Sequence, residues 1–184
     1  SFPTRRSSDL PFKLTIILSF FIAVPYILYQ LWSFIAPGMY SDEKSLAIPL
    51  FVSSVLLFYL GIAFSYYVVF PIVFGFFTAI APVGVAVTPD INNYLSFILK
   101  LFFAFGLAFE IPIATIILIK AGVTTRKALA EKRPYIVVIC FVFGMLLTPP
   151  DIISQSLLAI PAWLLFEIGL LMSRLVEKKA SNNA

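Results

Sequence analysis

Two groups of side chains in this sequence carry usable chemistry. Glu110 sits in the middle of a long apolar stretch, with Pro112 two residues on. Proline cannot donate to the carbonyl of Ala108, so the helix is expected to kink beside the carboxyl group. An ionised acid at the centre of a membrane span costs at least about 2.5 kcal/mol, so Glu110 must be protonated, paired or hydrated. It is a functional candidate by default, against the plainer alternative of a hydrogen bond internal to the bundle. The second group is Ser41-Asp42-Glu43-Lys44-Ser45. Ser41 can cap a helix whose first turn the acids complement. A carboxylate there can also take a guanidinium group in bidentate fashion. The two uses are compatible.

The remaining inventory is poor in reactive groups. There is no histidine and a single cysteine, Cys140, which excludes a zinc site, a disulfide framework and a Cys/His pair. No metal, no cofactor and no enzymatic activity are expected. With 61% hydrophobic and 12% charged residues and a mean hydropathy of +1.02, the chain is neither an ordinary soluble domain nor a disordered one.

These groups must therefore be positioned by membrane helices. At about 20 apolar residues per crossing, 184 residues hold five or six spans and no soluble domain. Five are read here, at about 12–36, 46–80, 94–119, 135–148 and 152–172, giving an all-α polytopic bundle over 11–173. The second is longer than one crossing needs and is expected to tilt or to bend at Pro71. The third ends at Lys120-Ala121-Gly122, a C-terminal cap with a cation in the last turn. The fourth has an uninterrupted apolar run of only about 18 Å, short for a core of about 30 Å. Asp151 lies in the turn before the fifth, and Gln155 one turn later is suited to hydrogen bonding with another helix. Tyr66 and the many phenylalanines read as packing or interface anchors. Lys100 is expected to snorkel to the outer interface, and Glu167 to reach headgroups.

Charge sets the orientation. The loop at 123–134 carries Arg126, Lys127, Lys132 and Arg133 against Glu131, and the tail 174–184 carries Arg174, Lys178 and Lys179 against Glu177. Both are expected to be cytoplasmic. The acidic loop at 41–45 is then cytoplasmic by alternation, against the usual basic bias. Residues 1–10, SFPTRRSSDL, are polar where the adjoining stretch from Pro11 is apolar, and they look like a translated sequencing adapter. Removing Arg5, Arg6 and Asp9 lowers the net charge from +4 to +3, too little to point to nucleic acid. Five spans with a cytoplasmic C-terminus start the chain outside, so a sixth, preceding span is expected in the parent protein.

The segments YQLWSFIAPGMYSDEKS, LLFYLGIAFSYYVVFPIVFGFF, FGLAFEIPI, KRPYIVV, GMLLTPPDIISQ and LLAIPAWLLFEIG, in this order, strongly resemble the TatC family of the twin-arginine protein translocase. The resemblance runs from Pro11 to about Lys178. It implies a glove-like, concave fold in the bacterial inner membrane that works with the single-span proteins TatA and TatB and with other TatC copies, driven by the proton-motive force. By position, Glu43 and Phe34 would bind the paired arginines of signal peptides on folded precursors. Glu110 would be the buried acid of the concave face, with Tyr66 on the same inner surface. Met145, Asp151 and Gln155 would dock partner helices. The family's N-terminal segment, first span and most of its first periplasmic loop would lie upstream. The alternatives are a permease or secondary-transporter subunit, with Glu110 as a proton or ion site, and a purely structural bundle. No inverted repeat supports the transporter reading.

Overall fold

A computed structural model describes residues 2–35, 44–80, 82–84, 91–147 and 152–182. Every element among them is helical. Helix α1 covers Phe2–Ile35, so the helix runs through the N-terminal decapeptide without a break at Pro11. The second segment is α2 (Lys44–Phe64), a π-helical turn (Ser65–Val69) and α3 (Phe70–Ile80). The third comprises α4 (Ile91–Ala108) and α5 (Ile111–Lys120). A short α6 (Arg126–Glu131) precedes α7 (Arg133–Leu147), and α8 runs Ile152–Asn182.

Four of these segments are long and apolar enough to cross a membrane: 10–34, 47–76, 95–120 and 152–175. Arg133–Leu146 is a shorter apolar helix. The fourth span, expected to be short, is thus a short helix. The basic loop differs from expectation by containing α6, because the Thr125 hydroxyl accepts from Ala128 N–H at 3.1 Å and caps a helical turn. The tail differs too, since α8 continues nine residues past Ser173, to Asn182.

Just before Pro71, where a tilt or bend was expected, the helix holds a π turn. Pro71 cannot donate to the carbonyl of Tyr67, and one residue earlier the Phe70 N–H reaches back five residues to the Ser65 carbonyl. The end of α5 keeps closely to its sequence signal. Gly122 adopts φ +74°, its N–H donates to the Ile119 carbonyl, and the Val123 N–H donates to the Leu118 carbonyl. This is the paired closure that leaves few carbonyls unsatisfied at a helix end.

Packing runs through small residues, as it must between helices that gain nothing by burying apolar surface away from lipid. Helix α2 lies against α4, and α5 and α7 both lie against α8. The largest cluster joins Val69 and Val73 to Ala104, Phe105 and Ala108 of α4 and to Leu158, Ala159 and Ala162 of α8. Phe105 is fully buried at its centre. Two glycines set the closest approaches to neighbouring backbone. A Cβ on Gly61 would collide with the Phe105 carbonyl oxygen, and one on Gly169 would lie 2.9 Å from Pro112 Cα. Large apolar side chains such as Ile22, Leu56, Tyr67 and Leu146 face outward, the arrangement lipid permits and water does not.

Candidate functional site

The third span is broken where the sequence predicts. Helix α4 stops at Ala108, Glu110 takes φ −80° and ψ −11°, and α5 starts at Ile111 with Pro112 in its first turn. Glu110 N–H reaches back only three residues, to the Leu107 carbonyl at 3.0 Å, while the Glu110 carbonyl accepts from Ala114 N–H at 2.9 Å. The break turns the carboxyl group toward α2. There the Ser54 hydroxyl donates to Glu110 Oε2 at 2.5 Å. Oε1 is buried and has no hydrogen-bond partner among the described residues. One oxygen of the acid is therefore held, and the other remains free to accept or share a proton.

Ser54 is almost completely buried, and sequence reasoning passed over it. Its only signal is the pair Ser53-Ser54 inside an apolar run, where a hydroxyl has no water to bond and must find a partner. A second buried hydroxyl, Ser65 in the π turn, has no partner among the described residues. The Thr115 hydroxyl is satisfied locally by the Ile111 carbonyl at 2.9 Å.

Phe34 is the penultimate residue of α1 and is 85% exposed. Glu43 and Asp151 lie outside the described residues. Tyr66 lies in the π turn, exposed, with its ring against Tyr67 at 5.0 Å and Phe102 at 6.4 Å. Met145 is 52% exposed near the end of α7. Its neighbour Gly144 backs onto Gln155 of α8, where an added Cβ would lie 3.4 Å from the Gln155 carbonyl oxygen. Met145 and Gln155 thus share one end of the α7–α8 pair. Glu167, expected to reach headgroups, is engaged by a neighbouring helix. It accepts from Arg133 at 2.5 and 3.0 Å, a two-bond pair joining the start of α7 to α8. Among the described residues there is no group of three or more His, Cys, Asp or Glu that could hold a metal ion.

A break in a membrane span, a carboxyl group beside it and a hydroxyl from a neighbouring span define a multi-pass helical membrane protein with a polar site inside its bundle. The chain belongs to the TatC family, the Sec-independent protein translocase proteins, whose family model matches residues 8–161. It is similar to the Sec-independent protein translocase protein TatC of Haemophilus influenzae, with 59% identity over 174 residues, covering 95% of this chain and 68% of that protein. The TatC of Azotobacter chroococcum is 60% identical over 159 residues, covering 86% of this chain and 62% of that protein. A crystal structure of the twin-arginine translocase receptor TatC in DDM superposes with a TM-score of 0.78 at 45% identity, covering 88% of this chain and 72% of that one. The chain spans about two thirds of the length of these relatives. It is thus a protein-transport component of a Sec-independent translocase, with the all-helical membrane fold of that family.

Proposed function

We propose that this protein is the receptor for twin-arginine signal peptides on folded precursors. The paired arginines bind beside Glu43 and Phe34 at the cytoplasmic surface, where bidentate hydrogen bonds favour guanidinium over ammonium. The apolar part of the signal then lies along the concave face past Glu110 and Tyr66, and helices of TatA and TatB dock at Met145, Asp151 and Gln155. The proton-motive force drives transport, and no covalent chemistry is involved. The protein resides in the bacterial inner membrane with its C-terminus in the cytoplasm, the side on which the basic segment 126–133 lies.

The observation that carries this reading is the exposure of Phe34, an aromatic ring left unpacked at the end of α1, upstream of the acidic segment 41–45 in the sequence. Family membership favours it over the permease alternative. The test is Glu43→Lys in the complete gene, in cells with no other TatC-family protein. Export of folded twin-arginine precursors is expected to stop while Sec-dependent export continues; normal crosslinking to precursor in the variant would refute the recognition role.

A further inference from the structure

At the end of the bundle opposite the basic segment 126–133, a groove of about 440 Å³ opens between α1 and α4. Its walls include Ile16, Phe20 and Phe103, and two lysines, Lys13 and Lys100, line it together with Ser96. Lys13 Nζ donates to Ser96 Oγ at 2.6 Å. Ser96 and Lys100 are four residues apart on α4, so their side chains share a face about one turn apart. The two ammonium groups are thereby drawn to one short stretch of the groove.

Depth along the helices places this stretch at a membrane surface. Lys100 and Lys120 are twenty residues apart in one broken span, about 30 Å at the helical rise and close to the thickness of the hydrocarbon core. Lys13 and Phe34 are separated by a similar length of α1. With Lys120 and Phe34 at one interface, Lys13 and Lys100 stand at the other, with aromatic and aliphatic walls running from them toward the bilayer interior.

Neither lysine forms an ion pair among the described residues. Two cations sharing an apolar groove repel one another unless an anion lies between them. Asp9, one turn before Lys13, is the nearest acid in sequence, and its side chain lies outside the described ones. A diacyl phospholipid with a net negative charge meets every demand of the site: its phosphate bridges the two ammonium groups and the Ser96 hydroxyl, and an acyl chain covers Phe20 and Phe103. We infer that the α1–α4 groove binds one anionic phospholipid from the leaflet opposite the basic segment, selecting it over zwitterionic lipid through Lys13 and Lys100.

The test uses a photoreactive amino acid at Phe103, with the purified protein in nanodiscs of equal phosphatidylglycerol and phosphatidylcholine and mass spectrometry of the adducts. Phosphatidylglycerol adducts should predominate. Lys13→Gln with Lys100→Gln should lower their excess by about five-fold for each lysine, the attraction of one basic residue for an anionic surface. The double arginine variant should retain the excess, and Asp9→Asn should leave or raise it. Millimolar glycerol phosphate should not compete. Equal adducts of both lipids, a protein adduct in place of lipid, competition by glycerol phosphate, a fall in Asp9→Asn, or an unchanged ratio in a folded double glutamine variant would each overturn the assignment.

Discussion

The Ser54 hydroxyl donates a 2.5 Å hydrogen bond to Glu110 Oε2, tying the second membrane segment to the break in the third. Hydrogen bonds between membrane helices contribute about 0.6 kcal/mol on average and up to about 2. Ser54→Ala should therefore lower stability in detergent by that amount. Glu110→Gln, which keeps an acceptor for Ser54, should support export far better than Glu110→Leu. Equal export by the two Glu110 variants would remove any polar requirement at this position.

The Arg133–Glu167 pair should behave as a modest clamp. Arg133 is 48% exposed, so solvent screening limits the coupling to about 1 kcal/mol despite the two-bond geometry. A double-mutant cycle on thermal unfolding, with Arg133→Ala and Glu167→Ala, should return a coupling of that size that shrinks in high salt. Arg133→Lys should lose part of it, because one ammonium cannot reproduce both parallel bonds.

Glycine substitutions should separate close helix contacts from open ones. Gly61→Ala pushes a methyl group into the Phe105 carbonyl oxygen, and backbone cannot swing aside as a side chain can. Such overpacking costs typically about 1–3 kcal/mol. Gly75→Ala meets nothing within 4 Å and should be neutral or slightly stabilising, since alanine is the better helix residue. Denaturation midpoints of the two variants in one detergent make the comparison.

Thiol reactivity should report the two faces of α7. Cys140 is buried against α4 and α8, so maleimide should label it slowly in the folded protein. Met145→Cys, one and a half turns later and exposed, should label quickly and should form crosslinks with cysteines in the spans of TatA or TatB. Fast labelling at position 145 without partner crosslinks would argue against docking there.

Much of the fold was legible in the sequence because membrane helices are written in long apolar runs bounded by charge and turn residues. The break at Glu110 came from Pro112, and the end of α5 from Gly122, since each residue imposes a backbone constraint that context cannot remove. The helical turn at 126–131 was not legible, because six residues with three charges resemble a solvated loop. Nor was the π turn: proline announces a missing donor but not how the neighbouring ladder adjusts to it.

The candidate site divides along the same line. Sequence alone identified Glu110 as an acid out of place in lipid, marked out the long apolar runs, and made the charge asymmetry visible, because each depends on residue type and order. Only the tertiary structure paired Glu110 with Ser54 across 56 residues, joined Glu167 to Arg133, and brought Lys13 to Ser96 beside Lys100. Such pairings depend on which faces of separate helices meet. That is decided by packing at small residues such as Gly61, Ala108 and Gly169, and in a uniformly apolar span the sequence carries almost no periodic signal of which face turns inward.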